Sequence, residues 1–156
     1  MLSGKAWAGI VVASVLCGCQ HEAVKPVEGV VTLNIPTLTG DDARRADSMA
    51  HPVDMSPGDR LVVRLGAHGG TGFVWEMAGP AAAVLNATGP ASTEPAVKSA
   101  AGPVAGADTW TSFQFQAIAQ GQGDLRFILR RPWEATQPSA RVVNVPITVT
   151  TKKDSS

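Results

Sequence analysis

Apolar and polar residues alternate with a period of two along most of this chain, and no useful length of it carries the spacing of an amphipathic helix. Residues 30–35 give a first strand. Residues 60–65 give another, with Leu61, Val63 and Leu65 directed to a core. In residues 73–77, Phe73, Trp75 and Met77 alternate with Val74 and Glu76, and Val84 to Thr88 reads as a short strand. Residues 109–118 set Phe113, Phe115 and Ala117 against Gln114 and Gln116. Residues 125–131 turn Leu125, Phe127 and Leu129 inward and Arg126 and Arg130 outward. Residues 141–150 place Val143, Val145, Ile147 and Val149 on one face, with Pro146 marking an edge or a bulge. Short alternating strands separated by turn signals predict an all-β protein, an antiparallel β-sandwich.

The connections carry their own chemistry. Ser56-Pro57-Gly58-Asp59 is a turn, with proline presetting φ and glycine relieving it. Residues 120–124 are expected to be a hairpin connection, and residues 89–108, rich in Ala, Pro and Gly, a long surface loop. Residues 41–50 read as a helical turn or two, or as a solvated connection. The segment Ala67-His68-Gly69-Gly70-Thr71-Gly72-Phe73 brings three glycines into four consecutive positions directly before a strand. Such a loop approaches another surface closely, and it reads as a binding loop on a rigid scaffold.

The first residues are an address and not fold. Lys5 is followed by an apolar run over residues 6–16, too short to span a bilayer comfortably, and then by Leu16-Cys17-Gly18-Cys19. This resembles a bacterial lipobox, which implies a signal peptide over residues 1–18, a lipid on Cys19 and a membrane partner through that anchor; the alternative is an ordinary secretory signal cut nearby. Gln20 after Cys19, in place of Asp, favours an outer membrane lipoprotein facing the periplasm or the surface. Residues 19–28 form a polar tether, residues 29–151 one folded domain, and residues 152–156 a loose tail. The chain contains 2 cysteines. With Cys17 removed and Cys19 lipidated, no thiol is left for a disulfide, a nucleophile or a metal. Lys and Arg total 13 and Asp and Glu total 13, so no basic field recruits nucleic acid.

Enzyme chemistry finds little support. The glycines at positions 66, 69, 70 and 72 loosely resemble a phosphate-cradling loop, but a strand follows them and not the helix whose N-terminus would hold the anion. His21, His51 and His68 lack ligand spacing, and no serine, histidine and aspartate order points to a triad. His68 reads as a solvated loop residue. Trp75 lies mid-strand and reads as core, Trp110 at a strand start fits either core or surface, and Trp133 beside Pro132 is an interface anchor or a cover on the end of the sandwich. Arg131 orients the Trp133 loop, contacts a partner, or is simply solvated.

A Gly58-Asp59 turn, a strand, Thr71-Gly72-Phe73-Val74-Trp75, a glycine-bearing loop and Arg131-Pro132-Trp133 follow one another in the order that resembles the chagasin-like cysteine protease inhibitors. The resemblance covers residues 51–150. It implies an immunoglobulin-like sandwich that blocks papain-like cysteine proteases reversibly by inserting three loops from one end into the active-site cleft, as a monomer and without cofactor or catalytic residues. Matched residue by residue, Gly70, Thr71, Gly72 and Phe73 fall in the first loop, Gly106 in the second, and Arg131, Pro132 and Trp133 in the third. His68-Gly69-Gly70 stands where the family has Asn-Pro-Thr or Asn-Pro-Ser, and Pro103-Val104-Ala105 replaces most of a glycine motif. Glycine in place of proline makes a free loop more mobile and its ordering on binding more costly. A second reading is a non-inhibitory binding or structural module of the bacterial envelope.

Overall fold

The computed structural model describes residues 29–38, 50–97, 102, 104–134 and 136–151. The expected signal peptide and tether, Cys19, most of residues 41–50 and the expected tail lie outside the described residues. Within them the chain forms two sheets packed face to face, and no helix is long and apolar enough to cross a membrane. The first sheet contains β1 (Val30–Ile35), β3 (Arg60–Ala67), β7 (Thr109–Ala117), β5 (Leu85–Ala87) and β6 (Ser92–Pro95). The second contains β2 (Val53–Met55), β9 (Arg141–Val149), β8 (Gly121–Arg130) and β4 (Val74–Met77).

Alternation puts the predicted residues between the sheets. Leu61, Val63, Leu65, Phe113 and Phe115 line the inner face of the first sheet, and Leu125, Phe127, Val143, Val145 and Ile147 that of the second. The Phe113 and Phe127 rings meet across the layers at 4.8 Å in a tilted pair, the arrangement that aromatic quadrupoles favour. Trp75 is core, as read, and its indole N–H donates to the Gly66 carbonyl at 3.0 Å, tying β4 of one sheet to β3 of the other.

The sandwich stands as expected, but both sheets are mixed. β1 runs parallel to β3, with Val30 opposite Arg60 and Ile35 opposite Leu65, and β2 runs parallel to β9. Pro146 faces Asp124 of β8 and lies one residue before β2 begins to pair at Val53↔Ile147, so its missing N–H leaves no gap in the β2 ladder. The Ser56 to Asp59 turn is stapled by its own carboxylate, which accepts from the Ser56 N–H at 2.8 Å and the Gly29 N–H at 2.8 Å.

Two expectations fail. Residues 120–124 are no hairpin connection: β7 and β8 lie in different sheets, so the short link at residues 118–120 crosses the sandwich, and β8 already begins at Gly121. Residues 89–108 are not all loop, because Ser92–Pro95 pairs along β7 beyond the end of β5. That strand, Ser-Thr-Glu-Pro, has no alternation of apolar and polar residues. Backbone pairing, the Arg64–Glu94 ion pair at 2.7 Å and a Thr93–Thr111 hydroxyl contact at 3.2 Å hold it, with no apolar face to betray it.

Candidate functional site

The antiparallel pairing of β3 with β7 and of β4 with β8 brings the β3–β4, β6–β7 and β8–β9 connections to one end of the sandwich. These are the first loop (His68 to Phe73), the second (described here at residues 104–108) and the third (Arg131 to Glu134). All three carry residues that the sequence singles out, and their side chains interlock.

The first two loops remain in register beyond the ladder. The last pair of β3 and β7 is Ala67↔Thr109. Stepping on, His68 comes opposite Asp108, Gly69 opposite Ala107 and Gly70 opposite Gly106. Each of these pairs is close. His68 Nδ1 lies 2.9 Å from Asp108 Oδ1, a Cβ on Gly69 would fall 1.8 Å from the Ala107 carbonyl oxygen, and one on Gly70 would fall 3.5 Å from Gly106 Cα. Only glycine at position 69 lets the two backbones approach this far. Within the first loop the Thr71 hydroxyl donates to the His68 carbonyl at 2.7 Å.

The third loop leaves β8 as a short 3-10 turn over Pro132–Glu134. Arg131 is its fastener. Its Nε donates to the Thr71 carbonyl at 3.0 Å, its Nη1 donates to Glu134 Oε1 at 3.1 Å, and its guanidinium stacks 4.5 Å above the Phe73 ring. Of the roles open to Arg131, orientation of the loops is the one with visible contacts. Phe73 itself is half-buried against the core and faces inward beneath that cation. Trp133 is 70% exposed. Its ring lies over Gly72, whose φ of +75° favours glycine and whose Cα leaves room for the indole: a Cβ there would sit 2.3 Å from Trp133 Cη2.

The predicted residues therefore divide. Gly70, Thr71, Gly72, Gly106, Pro132 and Trp133 are exposed at the loop end, while Phe73 and Arg131 brace it from below. Trp110, open between core and surface, is partly buried with the Arg64 guanidinium 5.2 Å from its ring. The His68–Asp108 bond went unread because its partners stand 40 residues apart. Alternation leaves the strand partner and the register open by steps of two, and only the observed Ala67↔Thr109 pairing sets those residues opposite each other.

The ionisable groups described in these loops are paired among themselves, His68 with Asp108 and Arg131 with Glu134. Among the described residues no group of three or more His, Cys, Asp or Glu is placed to hold a metal ion. The loop end presents an indole, the exposed Val104 and glycine backbone.

Residues 54–148 match the family described as chagasin family peptidase inhibitor I42. No curated protein matches the chain. Among solved structures, the cysteine protease inhibitor EhICP2 from Entamoeba histolytica is 13% identical over 81% of this chain and 100% of its own, with a TM-score of 0.57. Amebosin is 16% identical over 79% of this chain and 98% of its own, at a TM-score of 0.46. PbICP-C, solved in complex with falcipain-2, is 13% identical over 78% of this chain and 98% of its own, also at 0.46. At 13% identity the likeness to EhICP2 is one of fold.

Proposed function

This chain belongs to the chagasin family of peptidase inhibitors, which are not enzymes, and we propose that it inhibits papain-like cysteine proteases reversibly by inserting its three-loop end into the active-site cleft. The observation that carries the reading is the exposed Trp133 ring seated on Gly72 and flanked by loops that are already fastened together. A large ring with few free torsions, on a support ordered before binding, gives contact area at low entropic cost. The described loop residues offer packing and backbone hydrogen bonds, which supports reversible blockage. In the same proposal Cys19 bears a lipid that holds the protein at the outer membrane, a reading supported by the order Leu16-Cys17-Gly18-Cys19 after an apolar run.

The test is competitive inhibition of papain and several cathepsin-like proteases by the purified protein. Trp133→Ala removes an anchor of about 2 kcal/mol and raises the inhibition constant roughly thirtyfold with folding intact. Arg126→Ala, on the exposed wall of β8, leaves it unchanged. If the folded wild type inhibits none of these proteases at high micromolar concentration, the inhibitor reading gives way to an envelope binding module.

A further inference from the structure

We infer that His68 and Asp108 form a clasp that fixes the first and second loops to each other before a protease arrives, making both positioning residues for the inhibition proposed above, on which this inference rests. Three observations converge on it. The two side chains stand where β3 and β7 stop pairing and their loops begin, one step past Ala67↔Thr109. Their ring nitrogen and carboxylate oxygen are 2.9 Å apart. The segment immediately beyond them, Gly69 to Gly72, contains no side chain larger than that of Thr71 and so has little of its own to restrain it.

Glycine loses more backbone freedom on ordering than any other residue. A free loop with this composition would be ordered largely by its target, at the expense of affinity. The clasp moves that ordering into the free protein. It acts alongside Thr71, whose hydroxyl closes the first loop onto the His68 carbonyl, so one residue is gripped through both its ring and its backbone. Both clasp side chains are close to half exposed, at 49% and 43%. Removing either leaves no buried charge, and the fold survives the test.

The clasp has a signature in the free protein. When the His68 ring carries a single proton, donation to Asp108 keeps it on Nδ1, which ring nitrogen chemical shifts report directly. Asp108→Ala should return the ring to the tautomer mixture of a solvated histidine and speed amide exchange at Gly69 and Gly70. In inhibition assays His68→Ala and Asp108→Ala should each raise the constant roughly fivefold, the usual net worth of one such hydrogen bond. The double variant should be no worse than either single one, because both remove the same bond. His68→Asn, whose amide nitrogen occupies the place of Nδ1, should restore most of the loss.

An unchanged ring spectrum and unchanged glycine exchange in Asp108→Ala overturn the clasp. If His68→Ala weakens inhibition while Asp108→Ala does not, His68 touches the protease itself and the positioning role is wrong. Should the wild type inhibit no papain-like protease, the proposed function falls, while the ring spectrum and the exchange rates still decide whether the clasp orders the loops.

Discussion

Adding one methyl group at Gly72 tests how the loop end is built. Gly72 has a φ of +75°, which costs an L-residue about 1 kcal/mol. Its Cβ would stand 2.3 Å from Cη2 and 2.8 Å from Cζ2 of Trp133. Carbon atoms rest at about 3.5–4.0 Å, so the indole has to withdraw by about 1 Å or more. Because Trp133 is 70% exposed, the ring swings into solvent and does not strain the core. Gly72→Ala therefore lowers the melting temperature by only about 4 °C, the equivalent of the backbone term in a domain of this size. It nevertheless weakens inhibition about thirtyfold, as loss of a seated tryptophan anchor does. Parallel thermal melts and inhibition constants for Gly72→Ala, Trp133→Ala and the double variant check this. In inhibition the double should match Trp133→Ala to within a few tenths of a kcal/mol, since both single changes act on the same ring, while its melting temperature still carries the backbone cost at position 72. Wild-type inhibition by Gly72→Ala, or full additivity in the double, would refute the idea that Gly72 seats Trp133.

Two further outcomes are expected. Trp75→Phe deletes the indole donor to the buried Gly66 carbonyl and should cost about 1–3 kcal/mol in denaturant unfolding without altering the denaturant slope; an unchanged midpoint would show that this bond does not hold the sheets together. Cys19→Ser should move the protein out of the membrane fraction or leave it unprocessed, and unaltered partition with a mature N-terminus elsewhere by mass spectrometry would remove the lipid anchor.

What the sequence made legible is the part of the fold written in single side chains. β3, β7, β8 and β9 announce themselves because each buries one face, and Leu61, Phe115, Phe127 and Val145 are sealed from solvent as their spacing demands. Trp75 and Trp133 separated correctly into core and loop for the same reason. Ser92–Pro95 escaped, since a strand held by its backbone and one ion pair has no apolar period to read. The parallel pairing of β1 and β2 escaped too, because alternation says which face a residue takes and nothing about which neighbour its strand meets. Residues 120–124 have the composition of a hairpin, yet the core requires β8 in the opposite layer, and that choice is made by the whole sandwich. Glycines and aromatics mark the first and third loops, while Gly106 in the second is legible only through the family resemblance. The bonds that fasten them, from His68 to Asp108 and from Arg131 to Thr71, join residues 40 and 60 positions apart and become visible only once the strands are paired.

The parallel course of β1 along β3 also decides how the protein can be displayed. β1 starts at Val30 beside Arg60, the end of β3 remote from His68, and β9 finishes at Val149 beside Gly121, equally remote from Arg131. The chain thus enters and leaves its folded body on the side opposite the three loops. A support fixed upstream of Gly29, whether a lipid in a bilayer or a linker on a sensor chip, aims the loops outward into solution, with the eight residues of β3 giving a standoff of roughly 25 Å. A fusion partner placed after Thr151 shares that side, so the loop end can be kept clear with a handle at either terminus.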